Sequence, residues 1–123
     1  MAVVSLLAEL GAGVVVNGRD ADAATEAAKR IDGAVAYSGS PSDPTIADAL
    51  IDRCTSEFGR IDILVNCAGT AGLARESILE VTSRQFHDLI DAHLVTTFET
   101  CRAVAPKMVA QGGGAIINTS SFA

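Results

Sequence analysis

Apolar positions along this chain follow two periods in turn, and the alternation predicts helices interleaved with short strands. Val3, Leu6, Leu7 and Leu10 recur at helical spacing, and Gly11 and Gly13 follow as stop signals. The run Val14-Val15-Val16-Asn17 is apolar without a break and has strand length, with Gly18-Arg19-Asp20 as the turn after it. Ala24, Ala27, Ala28 and Ile31 then mark a helix with a narrow, small-residue face that can lie close on a sheet. Ala34 to Tyr37 reads as a weak strand, and Ser38-Gly39-Ser40-Pro41-Ser42 as a loop. Asp43 suits an N-cap and Pro44 the first helical position, opening a helix whose inner face is Ile46, Ala47, Leu50, Ile51, Cys54 and Phe58.

The stretch Ile61 to Gly69 organises the rest. Ile63, Leu64 and Val65 are too few for a helix and fit a strand buried on both faces of a parallel sheet. Asn66 ends that strand, and the little bulk at Ala68 and Gly69 lets a ligand approach the backbone closely. Thr82-x-x-Gln85 reads as a capping box. It opens the longest helix, with an inner stripe of Phe86, Leu89, Ile90, His93, Thr97, Cys101, Val104 and Met108, and Pro106 is expected to bend or end it. Gly112-Gly113-Gly114 breaks the chain, Ala115-Ile116-Ile117-Asn118 is the last strand, and Thr119 to Ala123 leaves its carboxyl end. The pattern predicts one α/β domain over residues 1–123, a doubly wound parallel sheet. In such sheets ligands sit outside the carboxyl ends of the strands. Three such ends, at Asn17–Arg19, Asn66–Gly69 and Thr119–Ser121, are expected to converge on a nucleotide.

Composition narrows the function classes. The 123 residues are 49% hydrophobic, enough to build a core, and carry a net charge of −6. With pI near 4.7 and no basic cluster, nucleic acid is not an expected partner. No apolar run of spanning length occurs, so no membrane segment is expected, and the amino terminus has no signal-peptide pattern. Cys54, Cys67 and Cys101 are odd in number, with no Cys-x-x-Cys, which suggests reduced thiols in a cytoplasmic protein. His87 and His93 lack partners at ligand spacing, so no metal site is expected.

The segment Phe58-Gly59-Arg60-Ile61-Asp62-Ile63-Leu64-Val65-Asn66-Cys67-Ala68-Gly69 resembles the fourth strand and Asn-Asn-Ala-Gly turn of the short-chain dehydrogenase/reductase family, with Cys67 in place of the second Asn. The resemblance extends over essentially the whole chain, since several landmarks occur in the family's order. It implies a Rossmann-like fold and an NAD(P)-dependent enzyme interconverting an alcohol and a carbonyl of a small molecule by hydride transfer. It also implies a homo-oligomeric parent.

Carried over residue by residue, the resemblance assigns roles. Arg19 stands in the turn that meets the adenosine ribose, where Gly18 replaces the family's acidic residue, so a guanidinium could pair with a 2′-phosphate. That implies NADP, with NAD as the alternative; the competing reading is a surface arginine paired with Asp20 or Asp22. Ser40, followed by Pro41, occupies the place of the adenine-contacting Asp, or is simply a turn residue. Asn66 can tie neighbouring strands through its amide, and Cys67, Ala68 and Gly69 follow it along the ribose. Cys67 otherwise reads as a packing residue. Ile116-Ile117-Asn118-Thr119-Ser120-Ser121 resembles the family's serine motif, with Thr119 beside the cofactor and Ser121 as the catalytic serine, whose hydroxyl would steady charge on the substrate oxygen. Both serines could equally be turn residues. His93, in His93-Leu94-Val95-Thr96-Thr97-Phe98, stands where the family's long helix usually has an Asn, and could relay a proton or be a buried structural histidine.

Two family landmarks are not in the sequence. The glycine-rich phosphate loop with its strand would precede Met1, and the Tyr-x-x-x-Lys pair would follow Ser121 by about a dozen residues. The sole Tyr, Tyr37, has Pro41 four positions on. The expectation is therefore a fragment, partial at both ends and without turnover by itself. A non-catalytic nucleotide-binding or oligomerisation module is the alternative. In the family's strand order 3-2-1-4-5 the missing strand is central. Val14–Asn17 would then have to pair directly with Ile63–Asn66, or another copy would have to fill the gap.

Overall fold

The structure, a computed structural model, describes residues 2–69 and 77–120. Helix α1 (Ala2–Glu9) leads into strand β1 (Val14–Gly18), helix α2 (Ala21–Lys29) and strand β2 (Ala34–Ser38). Helix α3 (Pro44–Phe58) and strand β3 (Ile63–Asn66) follow. Helix α4 (Ser83–Ile90), a π-helical turn (Asp91–Val95), helix α5 (Thr96–Ala110) and strand β4 (Ala115–Asn118) complete the order.

The strands form two separate parallel pairs, β1 with β2 and β3 with β4. Val14 lies opposite Ala34 and Gly18 opposite Ser38; Ile63 lies opposite Ala115 and Asn66 opposite Asn118. Of the two alternatives for these strands, the direct pairing of Val14–Asn17 with Ile63–Asn66 does not occur. The pairs are parallel halves of a layered α/β fold, with an opening between them.

Both halves run the same way, and α3 shows why. At its start, Ile46 packs so closely on Gly39, just past β2, that a Cβ there would meet Ile46 Cγ2 at 2.8 Å. Gly39 also holds a φ of +137°, open to glycine alone. At its end, Phe58 lies against Gly13, just before β1, where a side chain would enter the ring. The helix thus returns the chain from the carboxyl ends of β1 and β2 to the amino end of β1. Gly59 (φ +80°) then caps it in the left-handed region and β3 starts from that same end.

The core sits between α3 and α5, beside β3. Ala47 and Ile51 of α3 meet Ile61 and Ala103, Val104 and Met108 of α5, with Cys54 and Leu64 at the margin. Arg102 reaches Asp48 at 2.9 Å and Lys107 reaches Asp52 at 3.0 Å, tying α5 to α3 on the outside. Gln111 fastens the entry to β3 by accepting from the Ile61 amide and donating to its carbonyl.

Three expectations change. Pro106 does not end the last helix, which continues to Ala110; the irregularity lies earlier, at Asp91–Val95. That turn takes one more residue than an α-turn and rotates the following face. The buried positions of α5 are accordingly Thr96 and Thr100 instead of Thr97 and Cys101, while Val104 and Met108 rejoin the expected stripe. Finally, β3 is not buried on both faces: Ile63 is 43% exposed, and every residue of β4 is exposed. Each lies beside open space on its unpaired side. For the same reason α1 buries none of its residues, although Val3, Val4 and Leu7 border the opening between the halves.

Candidate functional site

Each half-sheet is clamped at its carboxyl end by an asparagine. Asn17, at the end of β1, donates its amide to the Tyr37 and Gly39 carbonyls, both at 3.2 Å, holding β2 and the loop after it. Asn66, at the end of β3, donates to Asn118 Oδ1 at 2.9 Å and accepts from the Thr100 hydroxyl at 2.9 Å. Its donor thus ties a neighbouring strand, as expected, whereas its acceptor goes to helix α5. Thr100 is the residue the sequence reading missed. The i, i+4 pair Thr96 and Thr100 was the available signal, but the extra residue in the π-turn hid which face it occupies.

Beyond Asn66 the tips of β3 and β4 stay together. The Thr119 amide donates to the Asn66 carbonyl at 3.0 Å, and Cys67 Sγ lies 3.0 Å from Thr119 Oγ1. Cys67 is exposed, in contrast to Cys54, whose thiol burial pushes up from its ordinary value of 9.0 and so keeps protonated. The His93 ring lies directly over Gly69, where any Cβ would collide with it. The small residue at Gly69 therefore admits an imidazole from the π-turn, and His93 reaches the β3 tip.

On the other half, Asn17, Gly18 and Pro41 border the same cavity as Asn66, Cys67 and Ala68, a space of about 850 Å³. Gly18 also belongs to a shallow hollow with Arg19, Asp20 and Ala23, so the two spaces adjoin. Asp20 does not pair with Arg19. It caps α2 by accepting from the Ala23 amide at 2.8 Å. Among the described residues Arg19 makes no ion pair, which leaves an exposed guanidinium at the rim. The Ser40 hydroxyl is engaged locally with Ser42 at 2.9 Å, while Pro41 beside it is buried.

The structure therefore gathers Arg19, Pro41, Asn66, Cys67, Ala68, Gly69, His93 and Thr119 around the carboxyl ends of the strands, with Ser40 set back in its turn. Ser121 lies outside the described residues. No group of His, Cys, Asp or Glu among the described residues could hold a metal ion. No helix there is long and apolar enough to cross a membrane. Among the described residues the arrangement offers backbone and small side chains for close approach, the guanidinium of Arg19 at the rim and an imidazole at the back. That chemistry suits a flat, anionic ligand lying across the strand ends.

Comparison with known proteins gives the family and the fold. A family model described as short chain dehydrogenase matches residues 1–123. Carbonyl reductase family member 4 of Xenopus tropicalis is 34% identical over 122 residues, 98% of this chain and 50% of that protein. D-threitol dehydrogenase of Mycolicibacterium smegmatis is 42% identical over 82 residues, 67% of this chain and 31% of that protein. Among solved structures, a 3-ketoacyl-ACP reductase from Sinorhizobium meliloti superposes with a TM-score of 0.90 at 30% identity, over 98% of this chain and 48% of that one. A 7α-hydroxysteroid dehydrogenase complexed with NADH and 7-oxo glycochenodeoxycholic acid gives 0.87 at 30% identity, over 97% and 47%. The chain thus spans about half the length of these relatives, or less.

Proposed function

This chain belongs to the short-chain dehydrogenase family, and from that premise we propose that it is part of an NAD(P)-dependent oxidoreductase. The reaction is the interconversion of an alcohol and a carbonyl on a small molecule. The observation that carries this reading is the meeting of the β1 and β3 carboxyl ends at one cavity, with an unpaired Arg19 at its rim.

NADP is the favoured cofactor, and when bound it supplies the hydride. Arg19 would pair with the 2′-phosphate through charge-assisted hydrogen bonds. Pro41 would border the adenine, with the Ser40 hydroxyl as a secondary contact. The backbone from Asn66 to Gly69, with Thr119 beside it, would carry the ribose. The Ser121 hydroxyl would donate to the substrate oxygen and steady the charge that develops there. The imidazole of His93 can take up and release a proton behind the β3 tip. No Tyr-x-x-x-Lys occurs in the 123 residues, and we propose that this stretch taken alone binds without turning over. Three free thiols fit a reducing, cytoplasmic setting. The exposed Leu94 of the π-turn and Phe98 of α5 fit a homo-oligomer contact there.

Titration with NADPH and NADH, followed by nicotinamide fluorescence, tests the cofactor. Arg19→Ala should weaken NADPH about 10-fold to 100-fold, the worth of a hydrogen bond to a charged group, and leave NADH unchanged. Equal loss for both nucleotides would remove the 2′-phosphate assignment. Turnover by the chain above a Ser121→Ala control would remove the non-catalytic one.

A further inference from the structure

The long helical segment and the end of β3 touch at two places with matched spacing. The Thr100 hydroxyl donates to Asn66 Oδ1 at 2.9 Å, and the His93 ring covers Gly69. From His93 to Thr100 a helix rises about 10 Å, and three residues of chain from Asn66 to Gly69 reach about as far. One contact alone would leave the helix free to roll on the strand tip. Two contacts, two turns apart, fix its rotation.

The chemistry of Thr100 suits this use. A threonine inside a helix ordinarily returns its proton to the carbonyl one turn back. Thr97 does so, donating to the His93 carbonyl at 2.7 Å. Thr100, only 3% exposed, has the Thr96 carbonyl and Asn66 Oδ1 both at 2.9 Å, so its single proton serves the strand tip as well as its own helix. Valine would fill nearly the same volume and offer that proton to neither. Cys101, the next residue, is a poor substitute, since its sulfur lies 3.7 Å from Asn66 Nδ2 and 3.9 Å from Asn118 Oδ1 and bonds weakly.

From Asn66 the contact passes to β4. The Asn66 amide donates to Asn118 Oδ1 at 2.9 Å, and the Asn66 carbonyl accepts from the Thr119 amide at 3.0 Å. Cys67 Sγ then meets Thr119 Oγ1 at 3.0 Å. We propose that Thr100 is a positioning residue, whose hydroxyl keys the rotation of α5 to the β3 tip and so keeps the His93 imidazole over Gly69 and Thr119 beside Cys67. Its consequence for nucleotide binding rests on the oxidoreductase reading.

NMR on the isotopically labelled chain tests it, with Thr100→Val as the variant that loses the hydroxyl and Thr100→Ser as the one that keeps it. The His93 ring current displaces the Gly69 amide resonance, and Thr100→Val should return that resonance toward its unstructured position. Exchange of the Thr119 amide should speed about 10-fold, the worth of one hydrogen bond. Val104 and Met108, farther along α5, should keep their rates, whereas a mere loss of stability would speed them too. Thr100→Ser should restore both the Gly69 and the Thr119 signals. NADPH should bind Thr100→Val about 3-fold to 10-fold more weakly, again with rescue by Ser. The proposal is overturned by unchanged Gly69 and Thr119 signals in Thr100→Val, by faster exchange throughout α5, by no rescue with Ser, or by unaltered affinity for NADPH. Should Thr100→Val not fold, the unaltered chain decides: slow exchange of the Asn66 side-chain hydrogens supports the role, and the rate of a free asparagine amide overturns it. No nucleotide binding by the unaltered chain would remove the oxidoreductase reading, while the Gly69 and Thr119 signals still judge Thr100.

Discussion

The two half-sheets share a plan but differ in what holds them. Each is a parallel pair with helical structure between its strands, α2 in one and α4 to α5 in the other, and each is locked at its carboxyl end by an asparagine amide. Beside β3 lies a packed cluster around the fully buried Val104, with Ile51, Ile61 and Met108. Beneath β1 and β2 the buried residues are Ala24, Ala28 and Ile31, none of them part of that cluster. Small side chains bring α2 close to its strands but remove little apolar surface from water. The half that carries the hydrophobic stabilisation is thus distinct from the half that carries Arg19, and the candidate site spans the two.

The sharpest way to break that contrast is truncation in each half. Ile51→Ala removes most of a 4% exposed side chain from the cluster and should cost about 2–5 kcal/mol of unfolding free energy. Ile31→Ala, at a site with smaller neighbours, should fall near or below about 2 kcal/mol. Urea denaturation followed by circular dichroism measures both. Equal losses would mean that the first half has a core of its own after all.

What could be read from the sequence follows the range of the forces involved. Local signals were legible: the Asp43 and Pro44 helix start and the Thr82 and Gln85 capping box depend on residues within a turn of each other, and both form. The Val14–Asn17, Ala34–Tyr37 and Ala115–Asn118 runs were legible as strands because each is an apolar stretch between breakers. The start of the α5 stripe was not, because a one-residue π-insertion leaves no composition mark yet puts Thr96 and Thr100 inward in place of Thr97 and Cys101. Nor was the exposure of Ile63, because burial on both faces of a strand depends on neighbours that periodicity cannot supply. At the site, the small residues at Ala68 and Gly69 pointed to close approach, and His93 does approach Gly69. That Thr100 would hold the Asn66 amide could be settled only by the helix rotation.

The two clamps allow a finer comparison. Asn66→Ala removes two side-chain hydrogen bonds of 2.9 Å and should cost about 2 kcal/mol at roughly 1 kcal/mol each. Thr100 softens the loss, since its hydroxyl can fall back on the Thr96 carbonyl at 2.9 Å. Asn17→Ala removes two longer bonds of 3.2 Å and should cost about 1 kcal/mol. The informative readout is local: Asn17→Ala should speed exchange in β2 amides and leave those of β4 unaltered, with the reverse for Asn66→Ala. Changes that spread across both pairs would show that the halves are one cooperative unit.

The smallest effect concerns the helix that links the halves. Asp43 starts α3, and its carboxylate accepts from the Thr45 hydroxyl at 2.7 Å and from the Thr45 amide at 2.8 Å. The hydroxyl first, and then the amide, hold its pKa below the ordinary value of 3.8, because both bonds favour the charged form. A depressed folded-state pKa means that this cap stabilises the fold fully above the unfolded value. The contribution is lost as pH falls from there through the lower folded value, since protonation removes the acceptor charge that both donors use. The Thr45 amide resonance, followed by NMR below pH 5, should therefore titrate with a midpoint under 3.8, and Asp43→Asn should abolish that step. If α3 is the rigid link between the two strand pairs, the amides of Ile46 and Gly39 should follow the same curve, because Ile46 packs directly on Gly39. A midpoint at or above 3.8 would remove the Thr45 bonds from the account, and a curve confined to Thr45 would leave the cap real but the link between the halves loose.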